Sequence, residues 1–124
     1  MSKMMDGFNK LIEDLKSDLG EGFVANDIWH AKDAQSLAGY NSQPKAVALF
    51  NEVTRLLDKT MKGAEFPGLG DYYIVHLEND LLVVIAIAGE YQNGMLVDLS
   101  KTTMGILMSV ALPNLLQNLQ EATS

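Results

Sequence analysis

The chain contains no cysteine, fewer basic than acidic residues, and no uninterrupted apolar run of membrane-spanning length. The absence of cysteine excludes disulfides, thiolate metal sites and cysteine nucleophiles together. Sixteen acidic against nine basic residues give a net charge of -7, and such a surface repels phosphate backbones, so we expect no nucleic-acid partner. Anionic membranes are disfavoured for the same reason. An acidic surface suits solubility, or docking to a basic patch on another protein.

The most apolar segment is YYIVHLENDLLVVIAIAG, which covers residues 72–89. A membrane helix needs about 20 apolar residues, whereas here only residues 81–88 are continuously apolar. We therefore predict no membrane insertion. The N-terminal segment MSKMMDGFNK also lacks an apolar core of signal-peptide length, so we expect a cytoplasmic protein.

The same segment predicts two strands, because it is rich in the Tyr, Ile and Val residues that favour sheets. Asn79 and Asp80 predict a two-residue hairpin turn between them. The strand partners that follow from this turn are Glu78 with Leu81, Leu77 with Leu82, Val75 with Val84 and Tyr73 with Ala86. Both sides of the second strand are apolar, which predicts helices on both faces of the sheet. The first strand has one mixed side and is therefore expected at an edge.

The remaining segments complete one domain over residues 1–124, with residues 1–6 expected to be disordered. A first helix ends at Gly20, a second hairpin follows in VANDIWH and SLAGY, and a long helix begins after a Ser42 cap and ends at Gly63. The segment MLVDLS is the fifth strand, and a last helix capped by Thr102 or Thr103 is kinked or split near Leu112 by Pro113. The order is helix, two strands, helix, three strands, helix, which predicts an α+β, three-layer α/β/α sandwich.

Two sets of apolar residues are predicted to lie in the core. The long helix carries one set at three- and four-residue spacing: Ala46, Leu49, Phe50, Val53, Leu56, Leu57 and Met61. Four methionines are expected to fill gaps in the core: Met61, Met95, Met104 and Met108.

No arrangement of residues predicts catalysis, a metal site or a cofactor. His30 and His76 are the two histidines of the chain, and metal sites need several convergent ligands, so both are expected in structural or surface roles. Asp98 is expected to support a turn at the end of the fifth strand rather than to act as an acid. We predict a protein that is not an enzyme and binds no cofactor.

Two segments carry a resemblance to a known family. In KDAQSLAG, Asp33 to Ala38 looks like the Asp-Gly turn and following strand of the Roadblock domain, also called the dynein light chain 7 family, a longin- and profilin-like small α/β fold. Ala34 stands where the family has glycine. In MLVDLSKTTMGIL, Met95 to Leu107 is similar to the apolar strand, polar turn and glycine that open the family's last helix.

The resemblance implies a five-stranded antiparallel sheet with one helix on one face and two on the other. It also implies a homodimer formed by the third strand and the second helix. Family members act as non-catalytic adaptors or regulators of small Ras-like GTPases, including bacterial polarity GTPases. The resemblance brings no catalytic residue with it.

The third strand supports the same assembly on physical grounds, because Tyr72 to Leu77 is an edge without the Lys or Pro that usually protects one. Pairing with a symmetry copy removes the free edge, and a covering loop is the alternative. The candidate interface residues are Tyr72, Tyr73, Ile74, Val75, His76, Val47, Phe50 and Thr54.

These observations leave two function classes open. The first is a homodimeric, non-catalytic interaction module that regulates or scaffolds a small Ras-like GTPase. The second is a profilin- or longin-like sensor domain that binds a small molecule between the sheet and a helix. A small hydrolase would need Asp98 or His76 for activity, and we expect none.

Overall fold

The computed structural model describes residues 2–124 and has the predicted order of helices and strands. Its elements are α1 (Lys3–Leu19), β1 (Phe23–His30), β2 (Ser36–Tyr40), α2 (Pro44–Gly63), β3 (Tyr72–His76), β4 (Leu81–Ala88), β5 (Tyr91–Asp98) and α3 (residues 104–123). A short 3-10 turn, Gly20–Gly22, connects α1 to β1. None of the helices in this part of the chain is long and apolar enough to cross a bilayer.

The five strands form one antiparallel sheet in the order β2-β1-β5-β4-β3. Helices α1 and α3 pack on one face, where Phe8 and Leu115 join Val84 and Met95 in the larger core. Helix α2 packs on the other face, and its Val47 contributes to a smaller core. That smaller core also contains Trp29, Val83 and Ile85. The predicted three-layer sandwich is confirmed.

The start of the chain differs from the expectation of disorder over residues 1–6. Helix α1 begins at Lys3, and the Ser2 hydroxyl accepts a hydrogen bond from the Met5 amide. Met4 and Met5 pack against the larger core, so the expectation is wrong for residues 3–6, and Met1 lies outside the described residues. At the other end of α1, Gly20 is confirmed as the C-cap, with a φ of 56°.

Both ends of α2 differ in detail from the prediction. Ser42 does not cap the helix, because its hydroxyl donates instead to the Asp27 carboxyl group on β1. The helix N-cap is Gln43, whose side chain makes no capping hydrogen bond. Gly63 is the last helical residue, as predicted, but the left-handed residue that closes the helix is Glu65, with a φ of 64°.

The hairpin between β3 and β4 has a loop of three residues rather than two. Asn79 and Asp80 both adopt positive φ, as a turn requires, but Leu77, not Glu78, lies opposite Leu81 and donates its amide hydrogen bond. The observed partners are Tyr72 with Ala86, Tyr73 with Ile85, Ile74 with Val84, Val75 with Val83 and His76 with Leu82. The predicted register is wrong by one residue, and such a shift moves every β3 side chain to the opposite face.

Helix α3 changes its geometry in the middle, as Pro113 predicted. The Thr103 hydroxyl caps its first turn, and residues 107–111 form a π-helical turn that ends next to Leu112. A proline lacks an amide hydrogen and its ring crowds the preceding turn, so the wider turn just before Pro113 accommodates it. The expectation of buried methionines is wrong here, because Met104 and Met108 are exposed.

We expect Gly7→Ala to destabilise the protein although alanine favours helix. A Cβ at Gly7 would lie 2.6 Å from the Ala122 Cβ, where α1 meets α3. Alanine's helix propensity is worth up to about 1 kcal/mol, whereas overpacking costs roughly 1–3 kcal/mol. The free energy of unfolding measured in urea should therefore fall.

Gly63→Ala is the matched control at the end of α2. A Cβ at Gly63 meets no described atom within 4 Å, so the free energy of unfolding should stay the same or rise by up to about 1 kcal/mol. Equal effects of the two substitutions would contradict close packing of α1 on α3.

Candidate protein-binding surface at the sheet edge

Strand β3 forms one edge of the sheet, as predicted. Its inner side is defined by two hydrogen bonds, from the Leu77 amide to the Leu81 carbonyl at 2.8 Å and from the Ile87 amide to the Asp71 carbonyl at 2.7 Å. Because an antiparallel ladder alternates, the amides and carbonyls of Tyr72, Ile74 and His76 point away from β4. The edge therefore offers three residues of backbone hydrogen-bonding groups to another strand.

Helix α2 is poorly buried for its length. Two of its 20 residues, Val47 and Thr54, are buried, whereas five of the 17 residues of α1 are. The outer side of α2 leaves Leu49 56% exposed and Leu56 53% exposed. Both were predicted to lie in the core. Both exposed leucines lie on the one helix that packs on this face of the sheet, which makes the outer side of α2 a candidate binding surface.

The structure divides the candidate interface residues into two groups. Val47 and Thr54 are inside the chain, at 2% and 7% exposure, so neither is available to a partner and their assignment to the surface is corrected. Tyr72 and His76 are exposed, and the others are half-buried: Tyr73, Ile74, Val75 and Phe50. The residues that replace Val47 and Thr54 on the surface of α2 are Leu49 and Leu56.

Tyr73 connects the edge strand to α2. Its phenol oxygen lies 2.8 Å from the Thr54 hydroxyl, which donates to or accepts from it. Partial burial raises the pKa of the Tyr73 phenol, so the group is neutral at physiological pH. The contact exists because the observed register turns Tyr73 towards α2.

Asp27 fixes the N-terminus of α2 on the sheet. Its carboxyl group is 4% exposed and accepts hydrogen bonds from the hydroxyls of Ser36, at 2.6 Å, and Ser42, at 2.5 Å. The Gln43 amide donates to its second oxygen at 2.8 Å. A carboxyl group in this position serves the free amides and the positive end of the helix dipole, so Asp27 supplies the cap from β1.

Asn51 fixes the middle of the same helix. Its side-chain oxygen accepts from the Trp29 indole at 3.1 Å, and its side-chain nitrogen donates to the Ala31 carbonyl at 3.0 Å. Between the contacts of Asp27 and Asn51, the N-terminal half of α2 stands over the sheet with a gap beneath it. This gap, which we call the α2 cavity, has a volume of about 200 Å³.

The α2 cavity is apolar and partly open. Trp29, Val83 and Ile85 form its floor, and Ala46, Phe50 and Leu77, all half-buried, stand around it. The cavity lies between the sheet and a helix, which is where a profilin- or longin-like sensor domain is expected to bind a small molecule.

The residues weighed for catalysis are separate in the structure. His30 lies 3.1 Å from Glu90 and packs against Tyr91, whereas His76 is on the edge strand. Asp98 accepts hydrogen bonds from the amide and hydroxyl of Ser100, which lower the pKa of its carboxyl group and form the turn after β5. Among residues 2–124 no three His, Cys, Asp or Glu side chains converge as metal ligands would.

The five-stranded antiparallel sheet and its helices match the Roadblock/LC7 fold. The chain superposes on MglB of Myxococcus xanthus with a TM-score of 0.73 and 10% identity, over 98% of this chain and 87% of that one. An MglB with a tetrameric arrangement superposes with a TM-score of 0.67 and 16% identity, over 94% of this chain and 92% of that one. A Roadblock/LC7 domain from Streptomyces avermitilis superposes with a TM-score of 0.61 and 10% identity, over 87% of this chain and 90% of that one. At these identities the likeness establishes the fold. No family model and no curated protein matches the sequence.

We expect Asp27→Ala to lower the free energy of unfolding by roughly 1–3 kcal/mol, because it removes a buried acceptor that binds the Ser42 hydroxyl and the Gln43 amide. Urea unfolding followed by circular dichroism measures the change. Asp33→Ala is the control, since Asp33 is exposed and accepts one hydrogen bond, from the Gln35 amide. A loss no larger than that of Asp33→Ala would contradict the role of Asp27 as the anchor of α2.

Proposed function

We propose that the protein is a non-catalytic homodimeric module that regulates or scaffolds a small Ras-like GTPase. The observation that carries the self-association is the combination of two incomplete elements in one place. Strand β3 lacks a neighbour on its outer side, and α2, joined to β3 by the Thr54–Tyr73 contact, lacks cover on its outer side.

A second copy completes both elements at once. Two antiparallel β3 strands related by a two-fold axis at Ile74 place Tyr72 opposite the partner's His76, so that the free amides and carbonyls of both edges pair. The sheet then has ten strands. The two copies of α2 lie on the same face of this sheet and bring their exposed leucines together. Self-association of an MglB in a tetrameric arrangement supports the proposal.

The proposal that the partner is a small GTPase rests on other observations. Roadblock domains, which the sequence resembles and whose fold the chain has, include regulators of small Ras-like GTPases. The net charge of -7 suits a partner with a basic docking patch. The cytoplasm, where such GTPases act, is the compartment that we propose.

We expect His76→Pro to abolish the dimer while the monomer stays folded. The His76 amide points away from β4, and proline is tolerated on an edge strand where the amide faces solvent. In the dimer, however, the same proline removes a hydrogen bond of each β3 pair and crowds the partner. Size-exclusion chromatography with light scattering should show a dimer for the unmodified chain and a monomer for the variant.

Leu77→Pro is the control at the adjacent position. The Leu77 amide donates to Leu81 inside one chain, so this proline should lower the melting temperature of the protein itself. A dimer that survives His76→Pro unchanged would contradict pairing through β3, and a monomeric unmodified chain at high concentration would contradict the homodimer.

We expect the immobilised protein to capture a Ras-like GTPase from the cytoplasm of its source organism. Mass spectrometry identifies the captured protein, and GTP hydrolysis by the purified GTPase, with and without the module, measures the effect. The His76→Pro monomer should capture less if the binding surface spans both protomers. Absence of any GTPase from both captures would contradict this part of the proposal.

The α2 cavity favours one second candidate, a sensor domain that binds a small apolar molecule. A ligand that binds the folded state raises the melting temperature, so a thermal-shift screen of metabolites tests it. A ligand whose effect is lost when Val83→Phe fills the cavity would favour the sensor.

A further inference from the structure

The α2 cavity is an apolar space that the chain's own side chains leave unfilled. It is partly open, measures about 200 Å³ and is bounded by Trp29, Val83 and Ile85. A closed apolar cavity of roughly 150 Å³ holds a benzene molecule. The α2 cavity is therefore large enough for one phenyl ring.

A phenyl ring is displayed at the opposite end of the same helix. Phe66 is 68% exposed, more than any other large apolar side chain in the described chain. It follows α2 in a Schellman cap, in which the Phe66 amide donates to the Met61 carbonyl and the Glu65 amide to the Lys62 carbonyl.

The backbone conformation that places Phe66 in this cap is strained. Glu65 adopts a φ of 64°, a conformation usually left to glycine. In most such caps the residue at the Phe66 position packs back on the helix, whereas here it stays in solvent. Strain of this kind is often found at functional positions, and the present case fixes an apolar side chain in the exposed state.

The proposed dimer brings the ring and the cavity to the same place. Helix α2 runs antiparallel to the chain that leads into β3, since Thr54 contacts Tyr73 and Asp58, later on α2, accepts from the amide of Leu69, which precedes β3. Phe66 therefore lies near the N-terminal end of β3. Antiparallel pairing puts that end beside the C-terminal end of the partner's β3. Leu77 there forms the rim of the cavity nearest the edge, and the rest of its lining on the sheet lies further in, on β4, β5 and β1.

One pair of charges near the two sites is complementary. Glu65 precedes Phe66, and Lys45 precedes Ala46 at the cavity. Both charged side chains are exposed. The Asp27 carboxyl group also lines the cavity, but it faces the N-terminus of α2 and is 4% exposed.

We propose that Phe66 of each protomer inserts into the α2 cavity of its partner, so that the dimer is closed by two symmetric aromatic plugs. This inference rests on the proposed homodimer and identifies the side chain that anchors it. Buried aromatic residues in pockets are the usual anchors of protein interfaces. Because the proposed dimer has two-fold symmetry, the contact between Phe66 and the α2 cavity occurs twice in it.

Cross-linking tests the contact directly, because the chain has no natural cysteine. A double variant carries Ala46→Cys at the cavity and Ala64→Cys beside Phe66, so that Phe66 itself is kept. Within one chain these positions are separated by roughly 25 Å along α2, at 1.5 Å per residue, so a short bis-maleimide cannot join them. A band of dimer mass on denaturing gels, with a 46–64 link identified by mass spectrometry, is the expected result.

Two controls make the result specific. Adding Phe66→Ala to the double variant should greatly reduce the cross-link. Pairing Ala64→Cys with Ser109→Cys, which lies exposed on α3 across the sheet, should give none.

The binding constant provides a second measurement. Phe66→Ala should raise the dimer dissociation constant by roughly 30-fold or more, the ratio expected for an anchor residue. Ile106→Ala, which removes an exposed apolar side chain from α3 on the other face, should leave it unchanged. Equal effects of both substitutions would contradict the plug.

The outcomes separate this inference from the proposed function. A dimer with the 46–64 link supports both. A dimer without the link overturns the plug and leaves the homodimer standing, and a ligand found in the cavity of such a dimer would assign the space to a small molecule. A monomer at all concentrations overturns both.

Discussion

The position of α2 on the sheet depends on the buried carboxyl group of Asp27. Hydrophobic contact alone fixes this helix weakly, because two of its 20 residues are buried. Asp27 instead ties the turn before the helix to β1 through Ser42 and Gln43. Because this acceptor is buried and binds both residues that precede the helix, the interaction attaches the N-terminal end of α2 to β1.

The surface of the protein follows from that attachment. A helix held by hydrogen bonds at Asp27, Asn51 and Thr54 does not need a wide apolar stripe against the sheet. It can therefore carry its leucines on the outer side and leave a cavity beneath its first half. Both features would destabilise a monomer with nothing to bind. Together with the open β3 edge, they are explained most simply by a surface that a second chain completes.

The sequence predicted the fold well because its main signals are periodic. The β-branched apolar run of β4, the apolar stripe of α1 and the glycine after it each identified an element that the structure contains. The outer side of α2 was not predictable in the same way. Leu49 and Leu56 have the spacing of core residues, and one sequence does not tell a side that meets the sheet from a side that meets a partner. The signal that could have helped was the buried pair Asn26 and Asp27 in β1, since polar residues inside a strand require partners and Asp27 has them on α2.

The wrong register of β3 has a physical cause that bears on the assembly. A two-residue loop at Asn79 and Asp80 gives the expected pairing, but Glu78 also belongs to the loop. This single residue turns Tyr73 towards Thr54 and so joins the edge strand to α2. Edge strand and helix form one continuous surface only in the observed register.

The chain before and after β3 contains residues in the left-handed conformation that are not glycine. Glu65 before the strand and Asn79 and Asp80 after it all adopt positive φ without being glycine. At Glu65 this conformation carries strain of about 1 kcal/mol or more, whereas Asn and Asp adopt it more readily. Residues other than glycine also have fewer alternative conformations to exchange with. The turn at Asn79 and Asp80 therefore has fewer alternative conformations than a turn of glycines would have, whereas the segment before β3 contains Gly68 and Gly70. In the proposed homodimer, the C-terminal end of β3 would accordingly lose less conformational entropy on pairing than its N-terminal end.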